Sequence, residues 1–388
     1  MHLDPLLPRA VGLSLAVLVA GLLLRLLRQP YAIGYLAAGV ALGAHGLDVL
    51  DDAGTRRLGA VGVDILLFFV GLEVSLARLA ARWRVALIGT LLQILGSVAF
   101  VAAIGLLLDW PLARILLLGF VISLSSTAVV FKLLQDWGEL ETPAGQNVVV
   151  VLLAQDLAVV PMLLTLELTG GAALSWGALA LQLMGGVGIL AVLAWLLTRD
   201  SVHLPLLGWV EDDHELQVFT ALIVCFGLAL LTGLLGLSTA LGAFVAGVLV
   251  SSARETHWVG TRLESFRVVF VALFFVSIGM LIDLRFVRDN AQAVGGLLVG
   301  VLLTNLLLNA AILRVLGEPW RAGLQAGAML SPIGEFSFVL GAVGLQAGLV
   351  SEHAYNLTVA VIAGSLVVSP GWIALVRRLT ASAPAAAP

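Results

Sequence analysis

Thirteen stretches of this chain are apolar for long enough to cross a bilayer as helices: residues 10–27, 31–46, 58–73, 85–108, 112–134, 145–168, 174–198, 216–235, 237–252, 266–282, 291–316, 320–347 and 354–376. A helix covers the hydrocarbon core with about 20 apolar residues. The runs are continuous rather than alternating, which speaks against the strands of a membrane barrel. Only 11% of the 388 residues are charged, against about 25% in soluble domains. That is too little to wet a surface of this size, so a water-soluble enzyme is excluded and the lipid bilayer is the main expected partner. The net charge of −4, with no basic tract, leaves nucleic acid no electrostatic footprint. One cysteine, Cys225, excludes an intramolecular disulfide and a thiolate metal cluster. The six histidines fall at termini or in loops, without metal-ligand spacing. Met1-His2-Leu3-Asp4 lacks a basic start, so no cleavable leader is expected.

An odd number of spans puts the termini on opposite faces. The N-terminal face then carries 6 Lys and Arg residues and the other face 14. By the positive-inside rule the N-terminus lies outside and the C-terminus in the cytoplasm, with the cell (inner) membrane as the expected location.

The chain also resembles itself. Residues 33–42, IGYLAAGVAL, match 241–250, LGAFVAGVLV, sharing Gly34/Gly242, Ala38/Ala246, Gly39/Gly247 and Val40/Val248. LFFV at 67–70 recurs at 273–276, and Leu124-Ser125 as Leu330-Ser331, at nearly the same offset. Seven spans separate the copies, so the second is inverted, as in secondary transporters. The expected fold class is an all-α polytopic membrane protein of about thirteen transmembrane helices with an inverted repeat. A membrane transport domain over 1–378 would hold repeats at roughly 31–168 and 237–376, followed by a short cytoplasmic tail at 379–388.

The repeat supplies two sites for broken, crossing helices: Ser123-Leu124-Ser125-Ser126-Thr127 in the fifth span and Ser331-Pro332-Ile333-Gly334 in the twelfth. Pro332 lacks an N–H and Gly334 tolerates unusual dihedrals. Unwound backbone at that depth must be buried or line a cavity. The plainer alternative is that the hydroxyls tie helices together and Pro332 only kinks one.

Among the intramembrane acids, Glu73, Glu167 and Asp283 sit near span ends, and Asp64 is expected at an interface. Asp156 has no such escape, lying mid-way in VVVVLLAQDLAVVPMLL (148–164). An acid there costs about 2.5–3.5 kcal/mol on insertion scales and usually marks an ion or proton path. Its alternative is a permanently protonated hydrogen-bond donor. Gln155 offers an amide oxygen, to an ion or to a neighbouring helix, and Pro161 is expected to kink the same helix. Glu335, directly after the second break, is read as a second proton site, a partner for a helix N-terminus or a structural acid. Asn305 and Asn309 read as packing glue. Lys132 is the one lysine, and no basic residue lies mid-span opposite Asp156. Its charge must then be met by something mobile, a proton or a metal cation. The cluster Glu211-Asp212-Asp213-His214-Glu215 reads as a solvated loop.

Seven segments together resemble the cation:proton antiporter-2 family, in particular the membrane domain of Kef-type potassium/proton antiporters: QPYAIGYLAAGVALG (29–43), LLFFVGLE (66–73), LSSTAVV (124–130), LLAQDLAVVPML (152–163), GLSTALGAFVAGVL (236–249), LFFVSIGMLID (273–283) and GEFSFV (334–339). The resemblance implies a thirteen-helix homodimer with a dimerisation bundle and a moving core built around broken helices five and twelve. It implies Asp156 as the ion-binding aspartate, Gln155 as its neighbouring ligand, Ser125, Ser126 and Thr127 in the first break, and Ser331, Glu335 and Asn305 as supporting residues. Asn305 stands where Kef-type chains carry a lysine. Those chains usually continue into a cytosolic nucleotide- and glutathione-sensing domain. Here no GxGxxG follows a strand, so regulation would come from a domain or subunit absent from this chain. The expected activity is electroneutral K+/H+ exchange with no cofactor beyond the transported ions. Na+/H+ exchange is the alternative, and a channel-like pathway or the membrane part of a sensor is the reading from another class.

Overall fold

The structure, a computed structural model, describes residues 6–26, 31–43, 52–73, 81–169, 176–197, 213–237, 239–253, 258–280 and 282–380, with Arg199, Val202 and Val210 between them. Most of the expected tail, and Glu211-Asp212 of the acidic cluster, lie outside the described residues. Helices follow one another as α1 (Leu6–Leu26), α2 (Tyr31–Leu42), α3 (Asp52–Glu73), α4 (Thr90–Gly105), α5 (Leu112–Ser123), α6 (Thr127–Asp136), α7 (Pro143–Thr169), α8 (Trp176–Leu197) and α9 (His214–Leu234). They continue as α10 (Thr239–Ser251), α11 (Trp258–Arg262), α12 (Glu264–Met280), α13 (Leu284–Asp289), α14 (Ala291–Val315), α15 (Trp320–Met329), α16 (Phe336–Gln346) and α17 (Glu352–Thr380). Every apolar stretch read from the sequence has a helix in its place, and the fifth and twelfth are each broken into two, α5/α6 and α15/α16. Among the described residues the only bridges of β type are isolated pairs.

Helix faces follow the rule of a lipid solvent. In α9, Gln217, Ala221, Cys225, Ala229 and Thr232 recur every three or four residues and are buried, whereas Phe219, Ile223, Leu230 and Leu234 lie outward. Small and polar groups pack inside and large apolar side chains face out, because lipid gives no return for hiding a leucine. Asp213 is the N-cap of α9, accepting from the N–H groups of Glu215 (3.0 Å) and Leu216 (3.1 Å).

The described residues gather into two compact units. The first holds most of α1 with α2, α3 and α8–α12. Its helices meet at glycines. A Cβ on Gly71 of α3 would run into the carbonyl of Phe244 in α10, and one on Gly247 into that of Phe68. Gly39 of α2 and Gly279 of α12 face each other in the same way, against the carbonyls of Val276 and Leu36. Small residues let the backbones approach closely. Gly39 and Gly247 are repeat-matched positions, so each copy of the α2 motif lies on the helix carrying the other copy's LFFV segment. Asp64, expected at an interface, lies 12 residues beyond the start of α3, and its carboxylate accepts from the Thr239 hydroxyl (3.0 Å) at the start of α10.

The second unit holds α4–α7 and α13–α17. Before α4 the chain makes a π-helical turn, Arg84–Gly89. Pro161 lies within a single continuous helix, α7. Arg82 donates to Asn147 (2.6 Å), which donates to Glu318 (2.7 Å), tying the start of α7 to the α14–α15 turn. Arg377 near the end of α17 pairs with Glu139 and lies over the Trp137 ring (4.2 Å).

Candidate functional site

Both breaks lie in the second unit, and they meet. Ser125 and Ile333 pair as an antiparallel bridge: Ser126 N–H donates to the Pro332 carbonyl (3.0 Å) and Gly334 N–H to that of Leu124 (2.8 Å). The two interrupted segments therefore satisfy part of each other's freed backbone, which buried unwound chain requires.

The end of α5 accounts for its remaining carbonyls with side chains. A helix leaves its last four C=O groups without intrahelical partners. Here Phe120 O accepts from Ser123 Oγ (2.8 Å), Val121 O from Ser337 Oγ (2.7 Å), Ile122 O from Asn305 Nδ2 (2.8 Å) and Ser123 O from Gln93 Nε2 (3.0 Å). The α15 end is treated similarly: Ser331 Oγ donates to Gly327 O (2.6 Å), Ser125 Oγ to Leu330 O (2.7 Å), and Asn305 Nδ2 also to Ser331 O (3.1 Å). All these donors are neutral. Asn305, fully buried, thus joins the C-terminal ends of both half-helices, and Asn309 donates to its carbonyl (2.8 Å). The carbonyl ends are taken up by the protein's own amides and hydroxyls.

The other side of the first break carries the acids. Asp156 is buried at 7% exposure on α7, and the Thr127 hydroxyl is shared between its two carboxylate oxygens (3.2 and 3.0 Å). No described basic side chain pairs with Asp156. The preceding residue, Ser126, points its hydroxyl to Glu335 Oε2 (3.4 Å), and Glu335 is buried close enough to Asp156 to act on it electrostatically. Two adjacent hydroxyls at the start of α6 thus each face a different carboxyl group, one from α7 and one from the second break. Gln155 turns its amide oxygen to the N–H of Ser125 (3.0 Å) and its NH2 to the Oε1 of Gln93 (2.5 Å).

Of the residues singled out in the sequence, Asp156, Thr127, Ser126 and Glu335 converge here. Ser125, Gln155, Ser331 and Asn305 brace the backbone around them. Gln93 and Ser337 were missed. Each is a polar residue inside an apolar run with 0% exposure, and only the lone amide in LLQILGSVAF (91–100) could have drawn attention. The oxygen-only donor set suits a proton or a hard cation. Among the described residues no trio of His, Cys, Asp or Glu gathers as a metal site.

The family model described as "Sodium/hydrogen exchanger, transmembrane" matches residues 13–378. The chain belongs to this family. Sodium/hydrogen exchangers are transporters, so the chain is a membrane antiporter of cations and protons and not an enzyme. Among curated relatives it is 36% identical to the iron transporter MagA of Paramagnetospirillum magneticum, over 97% of this chain and 86% of that protein. It is 34% identical to the glutathione-regulated potassium-efflux system protein KefC of Escherichia coli, over 90% of this chain and 57% of that one. It is 32% identical to the chloroplastic K(+) efflux antiporter 1 of Arabidopsis thaliana, over 90% of this chain. The chain spans just over half the length of KefC and 30% of the chloroplastic antiporter. Its fold is that of the sodium proton antiporter MjNhaP1 from Methanocaldococcus jannaschii: TM-score 0.72 at 15% identity, covering 98% of this chain and 100% of that one.

Proposed function

We propose that this exchanger swaps K+ for H+ by alternating access, with the Asp156 carboxylate as the group that binds either one. The observation carrying the reading is the placement of Asp156. It is buried mid-way along α7, one hydroxyl is its described hydrogen-bond donor, and no described cation neutralises it. A charged acid in that position is costly until something neutralises it. A proton and a monovalent cation do so by turns, and their competition for one carboxylate couples the two fluxes. Thr127 and Ser126 supply hydroxyl oxygens and Gln155 an amide oxygen, with Glu335 as a supporting acid behind Ser126. Ser125, Ser331 and Asn305 hold the breaks. The inverted repeat is supported by the antiparallel bridge between the breaks and by the exchanged glycine contacts of the first unit. The transporter would work as a homodimer in the inner membrane, N-terminus outside and C-terminus in the cytoplasm. A cytosolic domain or subunit would regulate it.

Potassium is preferred because the KefC and chloroplastic relatives are named for potassium efflux. A site of one carboxylate with amide and hydroxyl oxygens also has a weaker field than one of two carboxylates on neighbouring residues, which suits the larger ion. The name of MagA makes iron the competing cargo, tested as Fe2+. The test is dissipation of a pH gradient by proteoliposomes given K+, Na+, Fe2+ or no cation in parallel. Potassium is expected to drive the fastest dissipation, sodium a slower one, and the cation-free arm none. Proton flux without an opposing cation would instead make the protein a channel-like pathway.

One carboxylate exchanging one cation for one proton moves no net charge. Exchange is therefore expected to be insensitive to membrane potential. A cycle moving one net charge would gain ~2.3 kcal/mol per 100 mV, displacing the equilibrium roughly fifty-fold. Steady-state K+ gradients in vesicles clamped at different voltages, with proton leak controlled, separate the two.

Thr127→Val keeps the side-chain shape and removes the hydroxyl shared with the carboxylate. The half-saturating K+ concentration is expected to rise about ten- to a hundredfold, the scale of one hydrogen bond to a charged group. Unchanged apparent affinity would take Thr127 out of the site.

A further inference from the structure

Gln93 of α4 lies outside every motif that marks the site, yet it closes a ring of hydrogen bonds around the first break. The Ser125 N–H donates to Gln155 Oε1 (3.0 Å), Gln155 Nε2 to Gln93 Oε1 (2.5 Å), and Gln93 Nε2 to the Ser123 carbonyl (3.0 Å). The ring runs from the last residue of α5 to the unwound segment, two residues apart. Both glutamines have 0% exposure. Each uses its amide once as donor and once as acceptor, all in one direction, so the bonds polarise and reinforce one another. Two side-chain amides here do what the missing helical hydrogen bonds would have done.

Two further features point the same way. The π turn Arg84–Gly89 immediately precedes α4. An α-helix advances about 100° per residue, so the extra residue of a π turn changes which face the following helix presents. That face carries Thr90, Gln93 and Ser97 inward and Leu91 and Leu95 outward. One turn before Gln93, the Thr90 hydroxyl reaches the carbonyl of Val151 (3.5 Å), one turn before Gln155 on α7. The same two helices are thus tied in register at successive turns.

We infer that Gln93 is a positioning residue for the cation site, acting through Gln155 to hold the break in the shape that aims Ser126 and Thr127 at the two carboxyl groups. It touches neither carboxylate in the described contacts. The role rests on the reading of Asp156 as a cation site. Without Gln93, the Gln155 amide loses its acceptor and is free to turn, the Ser123 carbonyl loses its donor, and the hydroxyls lose their fixed aim. The effect falls on ion affinity first and on turnover only secondarily.

The test compares wild type with Gln93→Leu, Gln155→Leu and the double variant, all purified as full chains. Potassium chloride is titrated into thermal-melting assays at constant ionic strength, and exchange is measured in proteoliposomes. Wild type is expected to be stabilised by K+. Gln93→Leu should need about tenfold more K+ for the same stabilisation and the same half-maximal exchange, with maximal exchange within about twofold. The double variant should cost less than the two single penalties multiplied, since the two amides share one bond of the ring. Amide hydrogen exchange across 120–130 should be faster in Gln93→Leu, while α7 stays as protected as in wild type.

An unchanged K+ requirement in Gln93→Leu, or penalties that multiply in the double variant, would overturn the inference. So would unchanged protection of 120–130, which also covers a variant that melts too early for titration. If K+ does not stabilise wild type at all, the cation site itself falls, and that result is distinct from failure of the clasp.

Discussion

Asp156→Asn is expected to stop cation/proton exchange, by about a hundredfold or more, in a protein that still folds. Asparagine matches aspartate in shape, and its amide oxygen can still accept from the Thr127 hydroxyl now 3.0 Å from the carboxylate. It can neither carry a proton between the two faces nor attract a cation by charge. Replacing the acid by a neutral amide also lifts part of the cost of an acid in mid-span, which is about 2.5–3.5 kcal/mol on insertion scales. The variant should therefore melt at or above the wild-type temperature, and added K+ should no longer raise that temperature. The pairing of lost transport with undiminished stability separates a functional acid from a structural one. A structural Asp156 predicts the reverse: a lower melting temperature with residual exchange. Retained exchange in Asp156→Asn would remove the residue from the mechanism.

The acid was legible in the sequence for the same reason the substitution is informative. A carboxylate among VVVVLLAQDLAVVPMLL has no cheap explanation, so its position alone announces a role. The breaks were legible too, because Ser-Pro-Ile-Gly cannot continue a helix well and its repeat partner is rich in hydroxyls. Most helix boundaries came within a few residues, the start of α3 excepted, because lipid demands length and length is visible.

What stayed hidden is partnership. Gln93 meets Gln155 across 62 residues and Ser337 meets Val121 across 216. A single amide or hydroxyl in an apolar run is affordable in many packings, so nothing local selects its partner. Asn305 illustrates this best. By the resemblance alone it would stand where Kef-type chains carry a lysine, and the sequence left open what an amide would do there. The fold answers by giving one NH2 group two carbonyls, Ile122 O and Ser331 O, at the ends of both half-helices. A neutral donor suffices because seven side-chain hydrogen bonds already divide those carbonyls among six residues. The π turn before α4 was equally invisible, since the extra residue is imposed by packing and leaves no composition signal.

Gly334→Ala is expected to damage the protein more than its single added carbon suggests. The methyl group would stand 2.5 Å from the carbonyl oxygen of Ser125, 2.9 Å from its carbonyl carbon and 3.4 Å from the Ser126 nitrogen. All three are backbone atoms of the opposing break, so no side chain can swing aside. Relief must come from separating the two crossing segments, which stretches the Gly334 N–H bond to Leu124 (2.8 Å) and the Ser126 N–H bond to Pro332 (3.0 Å). Both groups are buried, and each weakened bond adds to an overpacking cost of about 1–3 kcal/mol. The same displacement carries Ser126 and Thr127 away from Glu335 and Asp156, so exchange should fall at least about tenfold even in the fraction that folds. Gly300 of α14 is the control: a Cβ there meets nothing within 4 Å, and Ala should be neutral or stabilising by up to about 1 kcal/mol. Melting temperatures and initial exchange rates of the two variants, measured side by side in the same lipid, decide the matter. If Gly334→Ala behaved like Gly300→Ala, the two breaks could not be packed backbone to backbone, and the site built on their crossing would lose its frame.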